Sequence, residues 1–169
     1  MPMRHALLPE FDQEMAATRR TLERVPAQKF GWKPHTKSFD MGHLAFHVAQ
    51  IPGWLTTALT TDSLDVEPGG VPVPQPPAPA TPEALLAGFD KNVVEARAAL
   101  AAADDVSMGQ PWSLLSNGNE LLKMPRAAVL RTFVLSHLIH HRAQLGLYLR
   151  LNDVPVPATY GPSADEQSM

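Results

Sequence analysis

His-Leu-Ile-His-His-Arg-Ala-Gln, residues 137–144, lies in a long apolar-periodic segment of this 169-residue chain. At about 100° of rotation per residue in an α-helix, His137 and His141 fall within roughly 40° of each other. The same stripe holds four apolar or aromatic residues, so the pattern predicts a helix that turns both imidazoles toward the core. These residues are Leu130, Val134, Leu145 and Tyr148.

Two histidines one turn apart on an apolar face need partners, because an unpaired buried polar group costs about 1–3 kcal/mol. A divalent metal held from this helix would be such a partner. The alternative is two core histidines that bond to carboxylates or carbonyls.

A third ligand is needed, because catalytic sites of the zinc type usually take three protein ligands and leave one position to water. An earlier apolar-periodic segment carries His43 and His47. His47 lies closer to the apolar face, beside Leu44 and Ile51, and is favoured as the third ligand. Helical angles alone leave His43 open as the alternative.

Four segments show the alternating three- and four-residue spacing of amphipathic helices. They span residues 4–24, about 40–59, 82 to about 100, and 125 to about 151. Ser38 or Asp40 is the candidate N-cap of the second helix, and Thr81, followed by Pro82, caps the third. A helix with one apolar stripe cannot bury that stripe alone, so the pattern predicts an all-α chain folded as a four-helix bundle.

The connections carry their own predictions. Residues 60–80 contain six prolines and predict a stiff, extended crossover along the bundle, which would leave the second and third helices parallel. Asn117-Gly118, between short apolar runs, predicts a short β-hairpin before the fourth helix. From about residue 152 we expect an extended tail. The length fits a single domain over 1–169.

Composition excludes several classes of function. The net charge is −3, which disfavours nucleic-acid binding. The chain has no cysteine, so disulfides, thiolate ligands and a cysteine nucleophile are excluded, and a metal would need imidazole or oxygen ligands. No apolar run approaches about 20 residues, and the first residues lack an apolar signal segment, so we expect no membrane association and a cytoplasmic location.

Five further side chains have simpler interpretations. His140 lies at the edge of the stripe, which favours a hydrogen-bonding or surface role over ligation. Gln144, close to the stripe, is a candidate hydrogen-bond partner of a ligand. Arg142 is expected to form a salt bridge on the helix flank. Tyr160 is expected to be a structural residue of the tail, and Glu14, off its helix's stripe, is a poor candidate for a general base.

Three pieces of the chain resemble the DinB/YfiT-like family of bacterial four-helix-bundle proteins. They are Met-Gly-His-Leu-Ala-Phe-His-Val-Ala-Gln-Ile-Pro-Gly-Trp (41–54), Ser-His-Leu-Ile-His-His-Arg-Ala-Gln-Leu (136–145) and Val-Pro-Val-Pro-Ala-Thr-Tyr-Gly-Pro-Ser-Ala-Asp-Glu (154–166). The resemblance implies a bundle with a crossover after helix two and a divalent ion on His47, His137 and His141. It thereby selects His47 over His43.

The resemblance also implies a chemistry. Three neutral imidazoles leave a metal its double charge and an open position, which acidifies a bound water or thiol. Relatives of this kind include thiol-dependent S-transferases and a mycothiol-dependent isomerase, so the resemblance implies a metal-dependent enzyme that acts on a small molecule with a low-molecular-weight thiol. Zinc, nickel, iron or manganese would suit these ligands.

Two other functions stay open: a non-catalytic stress protein that binds a metal or small molecule, and a metal-dependent hydrolase. A homodimer is expected from the family and from the frequency of two-fold dimers.

Overall fold

A computed structural model of the chain describes residues 2–167 and contains five helices and three short strands. Helices α1 (Met3–Leu22), α2 (Met41–Thr60) and α3 (Pro82–Ala102) are followed by the short helix α4 (Asp105–Gly109). The last helix, α5, begins as Arg126–Val129, continues through a π-helical segment, Leu130–Ser136, and ends as His137–Arg150. Each predicted boundary of the four long helices lies within two residues of the observed one.

The predicted N-caps are present. The Asp40 carboxylate accepts a hydrogen bond of 2.8 Å from the backbone N–H of His43, so Asp40 and not Ser38 caps α2. The Thr81 hydroxyl accepts a bond of 3.2 Å from the backbone of Ala84. These local bonds satisfy free N–H groups at the helix starts, which explains why the starts were visible in the sequence.

Helices α2 and α3 run parallel, as the long crossover predicted. The Asn92 amide of α3 donates a bond of 3.0 Å to the Ala49 carbonyl near the middle of α2. Leu59, near the end of α2, borders the same surface depression as Ala102, at the end of α3. The remaining long helices, α1 and α5, complete the packing around one hydrophobic core.

A small sheet is also present, so the expected all-α class is not confirmed. Its order is β1 (Ser63–Asp65), β2 (Pro111–Ser116) and β3 (Asn119–Pro125), with β1 parallel to β2 and β3 antiparallel to it. The predicted hairpin turn is confirmed, with φ of 50° at Asn117 and 74° at Gly118. Strand β1 was not predicted, because three residues in a proline-rich crossover show no alternation of their own.

The sheet and α4 are joined to the helices by core contacts. Trp112 of β2 and Met108 of α4 are buried in the same cluster as the core residues of the long helices. The Asp65 carboxylate accepts bonds from the backbone N–H groups of Asn117 and Gly118, at 3.0 and 2.8 Å, and so holds the crossover on the hairpin. A strict four-helix bundle is therefore not confirmed; the fold is mostly helical with an added three-stranded sheet.

Residues 154–167 form no helix or strand, as expected for the tail. Within residues 2–167, no helix combines the length and apolar character that crossing a bilayer requires.

Candidate metal centre

Three histidines from two helices meet between α2 and α5. His47 of α2 places its Nε2 atom 3.1 Å from the Nε2 atom of His137 in α5. His141, one turn further along α5, completes the group, and each of the three rings offers a nitrogen within 4.8 Å of the others. The structure thus brings together the three histidines that the sequence analysis selected.

His43 lies outside this group. Its side chain is exposed, and its ring stacks on Phe39 with the ring centroids 4.3 Å apart. Of the two histidines that helical angles left open, the structure places His47, and not His43, beside His137 and His141.

The donor set fits a divalent ion. Metal–imidazole bonds are about 2.0–2.1 Å long, which places neighbouring ligand nitrogens about 3.0–3.5 Å apart. The spacing between His47 and His137 already lies in that range. The same 3.1 Å spacing also allows one neutral ring to donate a hydrogen bond to the other. Among the described residues, neither of these two Nε2 atoms has a carboxylate or carbonyl within hydrogen-bond distance.

The three rings are neutral near pH 7. The pKa of His47 is lowered to about 4, chiefly by burial and then by the neighbouring rings of His141, His137 and His43. The pKa values of His137 and His141 are also lowered, with burial again the largest cause. A neutral imidazole has one nitrogen with a free lone pair, so it binds a metal without first losing a proton.

The histidines lie at the edge of the core and not within it, which corrects the expectation from the helical wheel. All three are half-buried, whereas Leu138, Leu145 and Leu149 are fully buried. The π-helical segment before His137 explains the difference, because it turns less per residue than an α-helix and shifts the apolar face. Rings that would have pointed inward therefore face the groove beside α2.

Aromatic side chains surround the histidine rings. Trp54 stands edge-on to His47 and His137, with ring centroids 5.5 and 5.2 Å away. Phe133 stacks on Trp54 at 5.3 Å and lies 5.9 Å from His137. These apolar walls limit the access of water and reduce the local dielectric, which strengthens electrostatic interactions at the site.

A cleft of about 370 Å³ opens beside His47. Its floor and walls come from α2 and from the proline-rich crossover. The lining residues are His43, Phe46, His47, Gln50, Trp54, Gln75, Pro76 and Ala78. In the described part of the chain, this lining includes no Asp, Glu, Lys or Arg, so its side chains offer a ligand amides, imidazoles and the indole N–H of Trp54 as hydrogen-bonding groups.

Gln144 contacts one of the three histidines, as the sequence analysis expected. Its Oε1 atom lies 2.7 Å from Nδ1 of His141, and its amide nitrogen lies 3.1 Å from Nε2 of His140. His140 itself is exposed and does not join the three-histidine group.

The expected position of Arg142 needs correction. Arg142 does form a salt bridge, but it is buried and not on the helix flank: its side chain is 4% exposed and lies 2.8 Å from the carboxylate of Glu14. The hydroxyl of Tyr160 donates to Glu14 at 2.8 Å and accepts from Arg142 at 2.6 Å. Glu14 thus faces Arg142 and the tail. No periodic pattern identifies this cluster, because its members come from three distant segments.

Fold and site together define a mostly helical protein with a three-histidine cluster between its second and last long helices. The family model of the DinB family matches residues 1–168, and the chain belongs to that family. The resemblance found in the sequence is thereby confirmed.

Two solved structures show the same fold. A DinB-like protein from Bacillus cereus ATCC 10987 has a TM-score of 0.70 at 18% identity, covering 94% of this chain and 98% of that one. A DinB-like protein from Bacillus subtilis, YjoA, has a TM-score of 0.68 at 15% identity, with coverages of 96% and 99%. Comparison with curated proteins found no match.

Proposed function

We propose that His47, His137 and His141 hold a divalent metal ion and that the protein is a metal-dependent enzyme of the small-thiol S-transferase or isomerase type. The observation that carries the proposal is the convergence of three neutral imidazoles, each offering a nitrogen within 4.8 Å of the others. Zinc, nickel, iron or manganese would suit this donor set.

When bound, the ion would supply a positive charge that stabilises a thiolate at neutral pH. The sulfur must come from a small-molecule thiol, because the chain has no cysteine. The protein's own side chains then bind and orient the two reactants. Trp54 and Phe46 offer apolar surface for the substrate, and the Gln50 amide offers a hydrogen-bond donor and acceptor.

A hydrolase is the weaker alternative, because activation of water is aided by a general base. The described residues that line the cleft include no carboxylate. A non-catalytic metal-binding role is the outcome in which the metal is present but no thiol binds.

The metal is tested on protein purified without a metal-affinity tag and measured by elemental analysis. We expect stoichiometric metal in the wild type and its loss in His141→Ala, whereas His5→Ala, at an exposed histidine of α1, retains it. The cobalt form then distinguishes the functions: mycothiol, bacillithiol or glutathione should change its d–d absorption saturably. A thiol-insensitive spectrum with ester or amide hydrolysis would indicate the hydrolase, and unchanged metal in His141→Ala would remove the proposed site.

Three broader features belong to the same proposal. The whole chain, 1–169, is proposed to be one domain, and the hydrophobic core of the described residues, 2–167, supports this. The protein acts as a cytoplasmic homodimer on a small-molecule substrate. Light scattering on the eluted protein measures the oligomeric state.

A further inference from the structure

Gln144 bonds to two histidines of the same helix. It follows His140 by four residues and His141 by three, the spacings at which side chains meet on a helix surface. The carbonyl oxygen of its amide lies 2.7 Å from Nδ1 of His141, and the amide nitrogen lies 3.1 Å from Nε2 of His140. Each end of the amide therefore has its own imidazole partner.

With the Gln144 amide in this orientation, its contact with His141 specifies which nitrogen of that ring carries the proton. A carbonyl oxygen only accepts hydrogen bonds, so Nδ1 of His141 must be the donor, and Nε2 keeps its lone pair. The opposite orientation of the amide would present its N–H groups to Nδ1. That arrangement would move the proton to Nε2, and the protonated nitrogen would have no lone pair with which to bind a metal.

The chemical nature of the partner also matters. Many metal-binding histidines donate to a carboxylate, which adds negative charge near the ion. Gln144 accepts the same hydrogen bond with a neutral group. Gln144 would therefore offset less of the positive charge of a bound ion than a carboxylate would. This favours an anionic ligand such as a thiolate.

We propose that Gln144 is a positioning residue that holds His141 in the Nδ1–H tautomer and keeps the centre's positive charge available for an anionic ligand. This inference rests on the proposed function, in which His141 is a ligand. Gln144 is exposed, so water competes for its amide, and the expected effect lies at the low end of the range known for partners of metal ligands.

The first test uses metal-free protein and long-range ¹H–¹⁵N correlation spectra of the histidine rings. We expect His141 in the Nδ1–H form in the wild type and a loss of that preference in Gln144→Leu. Gln13→Leu, the same change at an exposed position of α1, is the control and should leave the spectrum of His141 unchanged. An unaltered Nδ1–H form in Gln144→Leu would overturn the tautomer argument.

The second test measures Co²⁺ affinity against a chromophoric chelator and azide affinity of the cobalt form. Gln144→Leu should weaken Co²⁺ binding about tenfold, the lower value for loss of such a partner. Gln144→Glu restores the acceptor, so it should recover Co²⁺ affinity but bind azide several-fold more weakly than the wild type. Azide affinity equal to that of the wild type in Gln144→Glu would overturn the charge argument.

The two proposals fail in distinguishable ways. If His141→Ala binds Co²⁺ like the wild type, the proposed metal centre is wrong. If His141→Ala loses the ion while Gln144→Leu keeps full affinity, only the role of Gln144 is wrong. Thermal unfolding of each variant separates a local effect from loss of the fold.

Discussion

The buried ion pair between Glu14 and Arg142 makes a strong prediction about stability. Glu14→Ala removes the carboxylate that lies 2.8 Å from Arg142, and both side chains are almost fully buried, at 6% and 4% exposure. Arg142 would keep its charge in a site that water hardly reaches. The variant should therefore lose much of its free energy of unfolding.

The size of the loss follows from the contacts that remain. Removing one partner of a buried pair usually costs about 3–5 kcal/mol. Arg142 would still donate to the Glu14 carbonyl at 3.1 Å, the Thr18 hydroxyl at 3.2 Å and the Tyr160 hydroxyl at 2.6 Å. These three acceptors place the expected cost near the lower limit, at about 3 kcal/mol, which for a chain of this size lowers Tm by about 6–12 °C.

Urea unfolding followed by circular dichroism measures this effect. Asp12→Ala is the matched control, because Asp12 also pairs with an arginine of another helix, Arg97, but at 43% and 52% exposure. An exposed pair of this kind contributes little to stability, because water screens its charges. If Glu14→Ala costs no more than Asp12→Ala, the burial argument is wrong.

Two further predictions concern pH and the hairpin. The pKa of His47 is about 4 in the folded protein, against an ordinary value of 6.5. Between these pH values the folded state binds fewer protons than the unfolded state. The metal-free protein should therefore lose stability as pH falls from 6.5 toward 4. His47→Gln should flatten that dependence in urea titrations at several pH values; an equal slope would contradict it. Gly118→Ala, at φ 74°, should cost about 1–2 kcal/mol in urea unfolding. Gly88→Ala, in open space on α3, should be neutral or stabilising, and equal losses at both glycines would refute the conformational argument.

The features that local interactions determine were predictable. The caps Asp40 and Thr81 and the Asn117-Gly118 turn depend on bonds and dihedral angles within a few residues. The pairing of His137 with His141 depends only on the rise and turn of one helix. Each of these follows from neighbours in the chain, so the sequence pattern and the structure agree.

Features that depend on distant segments were not predictable in the same way. Strand β1 exists because Ser63 to Asp65 pair with residues 113–115 of β2. The burial of Arg142 depends on α1 and on the hydroxyl of Tyr160 in the tail. The helical wheel placed His137 and His141 inside the core because it assumed one constant turn per residue, and the π-helical segment breaks that assumption.

The amino-acid sequence alone determined several features of this protein: its four long helices, its hairpin, its parallel crossover and its pair of histidines one turn apart. Each of these features reflects the period of an element or the length of a connection. Only the tertiary structure decided how near the ring of His47 lies to those of His137 and His141, which face of α5 is buried, and which charges meet Arg142. The physical reason is that such contacts join segments about 90 to 130 residues apart, and packing between helices selects them.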